Sequence, residues 1–246
     1  MKFLTVLPVY NEAGHVTSVL NEVVSYARDV LVVDDGSSDG TTQLLDQRSD
    51  IAQIRHPENY GYGAALRTAF DYAILQCYDV VVTIDCDGQH EPQRIHKLVD
   101  ACQQADIVSG SRYLCPNQSN GQAPAERMQI NREVTQELNR RLGLSLTDAF
   151  CGFKAYRTHS LAQLELTESG DAMPLELWVQ AVHHELHIVE MPVPLIYLEE
   201  KRSFGGQLDS GKARRRYYYS VLDRAEAAAA QNASQHISRV CSAIGP

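Results

Sequence analysis

Along the first hundred residues, short apolar runs alternate with longer mixed stretches. The runs fall at 3–7, 30–33, 51–54, 80–84 and 106–109, and the stretches between them, near 13–27, 39–47, 62–76 and 92–103, read as helices. Strand, helix and strand in succession predict parallel βαβ units joined by right-handed crossovers. Turn chemistry agrees with this reading. DDGSSDGTT, ahead of the second helix, supplies Asp and Ser capping candidates, and Pro92 stands where a helix begins. The run 80–84 is apolar or β-branched throughout, as expected of a strand buried on both faces.

Beyond Tyr113 the pattern changes. LCPNQSNGQAP (114–124) is rich in turn formers and reads as a loop; a helix follows at 125–142, ending near Gly143. A short strand at 152–156 and a helix at 172–186 come next. The prolines of HIVEMPVPLIYL demote that run to an edge or irregular strand. EEKRSFGGQLDSGK reads as a loop and RRRYYYSVLDRAEAAAA as a helix whose alanines report propensity alone. The expected division is a main α/β domain over 1–212 and a C-terminal helix and tail over 213–246. MKFLTVLPV enters PVYNE without a small-residue cleavage site, so it is expected to be the first strand and not a leader.

Composition narrows the class. At 246 residues and 44% hydrophobic content the chain can bury a full core. A net charge of −9 argues against general nucleic-acid binding. The bases are concentrated late: Lys201, Arg202, Lys212, Arg214, Arg215 and Arg216 face only Asp209 within 201–216, which suits a local anionic ligand. The six cysteines show no CxxC pairing, as expected of reduced thiols in a cytoplasmic protein. No stretch approaches ~18 apolar residues, so any membrane contact is expected to be peripheral.

In parallel α/β sheets, ligands gather at the carboxyl ends of the strands. Those ends carry Pro8, Tyr10 and Glu12; Asp34 and Asp35; Asp85, Asp87 and Gln89; and Arg112. In DVVVTIDCDGQH (79–90), positions 85, 87 and 89 would share one face of an extended chain, and two carboxylates with an amide suit a hard divalent cation. Asp35 and Asp39 serve equally well as helix caps. NYGYG lacks the third glycine of a dinucleotide motif, and close helix–sheet packing accounts for Gly61 and Gly63. His183 and His187 stand at helical spacing without the HExxH order, so a solvated helix face is expected there. The Tyr217–Tyr219 run is expected to pack.

The stretches LPVYNE, VLVVDDGSSDGT, NYGYGAALRTAF, TIDCDGQHEP, DIVSGSRY, DAFCGFKAYR and KRSFGG…GK, in that order from residue 4 to about 215, resemble family 2 glycosyltransferases. The resemblance is to the polyprenyl-phosphate, dolichol-phosphate mannosyltransferase-like branch. It implies a GT-A fold, with a mostly parallel central sheet flanked by helices. It also implies a nucleoside-diphosphate sugar donor, a Mg²⁺ or Mn²⁺ ion and a polyprenyl phosphate acceptor. On this resemblance Pro8, Tyr10, Glu12, Val32 and Asp34 cradle the nucleoside, with Cys86 near the ribose. Asp85, Asp87 and Gln89 match the metal and diphosphate site. Arg112, Arg202 and Lys212 match basic positions around the diphosphate and the acceptor phosphate.

An inverting displacement is implied. A phosphate acceptor is already anionic near neutral pH and needs no base. A sugar hydroxyl would need one, and Asp148 is the candidate, with Glu176 behind it; Asp148 pairing with a nearby cation is the competing expectation. Rival functions are a glycosyltransferase acting on a saccharide or protein hydroxyl, a nucleotidyltransferase, and a non-catalytic nucleotide-sugar binding module.

Overall fold

The computed structural model describes residues 1–114, 124–197 and 210–244, with side chains as far as Gln231. Its strands are β1 (Phe3–Val9), β2 (Val30–Asp34), β3 (Ala52–Arg55), β4 (Val80–Thr83), β5 (Ile107–Ser111), β6 (Lys154–Arg157) and β7 (Ile188–Pro192). The helices are α1 (Val16–Val23), α2 (Thr41–Leu45), α3 (Tyr62–Leu75), α4 (Ile95–Ala101), α5 (Ala125–Leu142), α6 (Thr158–Leu161), α7 (Met173–His183) and α8 (Gly211–Ile244). A 3₁₀ turn at Pro92–Arg94 leads into α4, as the proline suggested.

All strands join one seven-stranded sheet in the order β3-β2-β1-β4-β6-β5-β7. β1 to β4 pair in parallel, as the alternation predicted, and so do β5 and β7. β6 runs against both its neighbours, β4 and β5. The sheet is therefore mixed and mostly parallel. Every residue of β2, β4 and β5 is buried, which explains the apolar runs of β2 and β4. β3 and β7 are the edges and stay partly exposed, so the proline-rich run is indeed an edge strand.

Helices cover both faces. On one, α3, α5, α7 and α8 bury Phe70, Val134, Trp178 and Leu222; on the other, α1 and α4 bury Leu20 and Leu98. Trp178 is fully buried and donates its indole N–H to the Ala149 carbonyl at 3.0 Å. Burial is continuous across residue 212, because Arg214, Tyr218, Val221 and Leu222 all pack into the domain. No helix among the described residues is long and apolar enough to cross a membrane. Cys77, Cys86, Cys102 and Cys151 carry free thiols.

Candidate active site

The site begins where a proline interrupts a ladder. β1 and β4 pair as far as Val6 and Thr83, and the Ile84 N–H still reaches the Val6 carbonyl at 3.0 Å. The next rung of a parallel pair needs an N–H from position 8, and Pro8 has none. The chain leaves the sheet there and turns through Cys86 and Asp87, with Gly88 at a φ of 70°. The alternation expected over 85–89 therefore does not hold. The turn, not the pleat, brings Asp85, Asp87 and Gln89 to the wall of one cavity of about 990 Å³. Asp87 Oδ1 fixes the turn by accepting the Gln89 N–H at 2.9 Å.

Asp85 is held from several sides. The Tyr62 hydroxyl and His90 Nε2 each donate to it at 3.1 Å. Burial opposes its charge, but His90, Tyr62 and the buried Lys154 ammonium together hold its carboxyl below the usual range. Lys154 donates to the Cys151 carbonyl and lies 5.6 Å from the Trp178 ring centroid. Gly152 forms the floor: a Cβ there would lie 2.1 Å from Asp85 Oδ2. Gly152→Ala is expected to push Asp85 off its partners and lower kcat by about 10- to 100-fold with little change in helix content, read by steady-state kinetics and circular dichroism.

The other expected residues are distributed unevenly. Pro8, Tyr10 and Glu12 line one end of the cavity together with Asp35, Asn59 and Gly61, and Cys86 lines it beside the acids. Val32 does not: it lies in the middle of β2, wholly within the apolar core. Asp34 is turned away too, accepting the Ser37 N–H at 3.0 Å and the Thr42 hydroxyl at 2.5 Å. Asp39 receives the Thr41 N–H at 3.0 Å at the start of α2, a capping task. Asp35 takes His56 Nδ1 at 2.6 Å and the N–H groups of Tyr60 and Gly61 at 3.0 and 2.8 Å, tying β2 to the start of α3. Gly61 and Gly63 are required by the loop above them and not by the sheet: a Cβ at either would stand 2.4 Å from the carbonyl oxygen of Ser169 or Glu168.

Arg112 lines the cavity just past β5, and Asp148 lies behind it. Arg112 Nε and Nη2 donate to the two oxygens of Asp148 at 2.7 and 2.9 Å, and Asn131 Nδ2 adds a bond of 2.9 Å. Asp148 is fully buried. Burial opposes its charge, yet Arg112 and Asn131 bring its carboxyl down to about 2. A general base must be open to substrate and able to take a proton; Asp148 has neither property and orients Arg112 instead. Glu176 is equally committed, accepting the N–H groups of Thr167 and Glu168 at 2.9 and 2.7 Å.

Lys212 is exposed on the first turn of α8 and does not line the cavity; Arg202 lies outside the described residues. Arg214, two residues on, is buried and does line it, as do Arg127 and Asn131 from α5, Asp171, and Tyr62. Sequence reading singled out none of these as site residues, although Arg214 belongs to the late basic cluster. His183 ends α7, and His187 lies past a residue of positive φ (Glu185, 53°), binding the Gln104 carbonyl at 2.6 Å, so the two histidines share no helix face. Tyr218 packs as expected but also lines the cavity, its ring centroid 4.8 Å from that of Phe150.

A mostly parallel sheet carrying acids at the end of one strand and an arginine at the end of another, over a single cleft, defines a GT-A-like fold with a polar site at the strand ends. In keeping with this, residues 5–164 match the profile of Glycosyl transferase family 2, and the chain belongs to that family of glycosyltransferases. An undecaprenyl-phosphate mannosyltransferase of Micrococcus luteus is 31% identical over 84% of this chain and 89% of its own length. A polyprenol monophosphomannose synthase of Mycolicibacterium smegmatis is 29% identical over 89% and 85%. These relatives place the chain near the polyprenyl-phosphate branch. Among solved structures, glucosyl-3-phosphoglycerate synthase of Mycobacterium tuberculosis, in complex with Mn²⁺, UDP and glucosyl-3-phosphoglycerate, superposes with a TM-score of 0.70. At 20% identity over 91% of this chain and 79% of that one, it supports the fold.

Proposed function

We propose that the protein transfers a sugar from a nucleoside diphosphate to a polyprenyl phosphate, with inversion at the sugar carbon. The observation that carries this reading is the single cavity, which joins the acidic turn after β4 to Arg112, Arg127 and Arg214. The nucleoside would lie toward Pro8, Tyr10 and Glu12. Asp85, Asp87 and Gln89 would hold a divalent cation. Two carboxylates and an amide oxygen are fewer than the roughly six oxygens such a cation takes, which would leave positions for oxygens of the ligand. Such an ion, Mg²⁺ or Mn²⁺, would neutralise charge on the departing diphosphate.

The chain's own groups do the rest. Asp148 presents Arg112 with its guanidinium fixed, so that the donor pays little reorganisation when anionic oxygens arrive. Arg127 and Arg214 add positive charge on the same cavity, fit for a second anion, the acceptor phosphate. That acceptor needs no proton removed. The burial of Asp148 and Glu176 takes away the two base candidates that the sequence offered for a hydroxyl acceptor.

A thermal-shift panel of UDP- and GDP-sugars tests the donor site directly. With Mn²⁺, the correct donor at about 100 times its Kd is expected to add about 2.7 kcal/mol of stability, and much less without the ion. No shift with any nucleotide sugar would remove the donor assignment.

A further inference from the structure

Asp171 faces the cavity from the loop ahead of α7, half-buried, and accepts no hydrogen bond from a described residue. Its surroundings are poor for a carboxylate. Burial, then the charges of Asp85 and Glu168, raise its pKa, and only Arg214 opposes them.

The loop that carries it is firmly built. Arg67 donates to the carbonyls of Leu166 and Thr167 at 3.2 and 3.0 Å and to Ser169 Oγ at 3.2 Å. The Ala64 N–H reaches the Ser169 carbonyl at 3.1 Å, and Glu168 receives the Tyr217 hydroxyl at 2.6 Å. Asp171 thus cannot easily swing away to find partners, and a fixed, desolvated acceptor selects a ligand that brings donors.

The chemistry of that ligand is constrained. An anionic phosphate would be repelled by Asp171, Asp85 and Glu168 together. Hydroxyl groups of a polyol fit. The Phe150 and Tyr218 rings, 34° apart in plane, and Pro174 line the same cavity and offer an apolar wall for the C–H face of a sugar ring.

We propose that Asp171 is a specificity-determining residue whose carboxylate accepts hydrogen bonds from hydroxyls of the donor's sugar ring, seated against the Phe150–Tyr218 wall. This rests on the nucleotide-sugar reading above and deepens it by assigning the sugar subsite to residues of this chain.

The test is calorimetric titration, with Mn²⁺ present, of UDP, UDP-glucose, GDP and GDP-mannose into wild type, Asp171→Ala and Asp171→Asn. For the nucleotide that binds wild type, Asp171→Ala is expected to weaken the sugar nucleotide by about 10- to 100-fold, the range for a bond to a charged group. The bare diphosphate should stay within about twofold. Asp171→Asn, which keeps an acceptor oxygen and removes the charge, should recover part of the loss, and it carries the comparison if the alanine variant does not fold. Unchanged affinity for the sugar nucleotide in both variants would overturn the inference. So would equal losses for sugar nucleotide and bare diphosphate, which mark a loop gone slack. If wild type binds no nucleotide at all, the donor reading falls first and this inference with it.

Discussion

Exchange of Asp87 for Asn is expected to lower sugar transfer by about 100-fold or more, while the thermal midpoint moves by no more than about 2 °C. The reason for the split lies in the turn. Asp87 Oδ1 accepts the Gln89 N–H, and an asparagine carbonyl can do the same, so the local fold keeps its bond. What the substitution removes is a negative charge on the cavity wall. Saturating Mn²⁺ should recover little of the lost rate, because an amide is a weaker ligand for a hard cation than a carboxylate. Steady-state kinetics over a range of Mn²⁺ concentrations, paired with a melting curve, separates the two effects. Wild-type turnover in this variant would remove the acidic turn from the mechanism.

Asp148→Asn should behave in the opposite way, with a large cost to the fold. Asp148 is fully buried against Arg112, and removing one partner of such a pair leaves an uncompensated charge, at about 3–5 kcal/mol. The pH dependence follows from the direction of its shift. Its carboxyl is lowered from 3.8 to about 2 in the folded protein, so its contribution is present above pH ~4 and is lost as pH falls toward ~2. The amount lost across that window is about 2 kcal/mol. Denaturant titrations between pH 2 and 7 should show this slope in wild type and lack it in the variant. Equal acid sensitivity in the two would mean that Asp148 is not the charged partner of Arg112. Activity should fall as well, since Arg112 loses the fork that aims it into the cavity.

Much of this architecture was legible because burial on both faces writes near-continuous apolar runs, and β1, β2 and β4 have them. Strand direction leaves no such mark. Nothing in CGFKAYR distinguishes an antiparallel β6 from a parallel one, so its place between β4 and β5 had to come from coordinates. Asp85, Asp87 and Gln89 were legible as a group, but for the wrong geometric reason, since the missing N–H of Pro8 ends the extended run before they begin. Burial of single charged residues was the least legible. DAFCGF gives no hint that its acid is sealed behind an arginine, nor does SGDAMP show that its acid is open to a cavity. Val32 and Asp34 followed from motif position alone, whereas the fold turns Val32 into the core and commits Asp34 to Ser37 and Thr42.

The reversed strand has a consequence for how the molecule can be divided. Because β6 closes the flank of β4 with residues more than seventy positions later, a fragment ending at β5 would present β4 as a bare, valine-rich rim. Such a rim invites pairing with another copy of itself. The nucleoside half of the cleft is thus not an autonomous module that could be traded between chains. Its acids acquire a floor only once the polypeptide has doubled back.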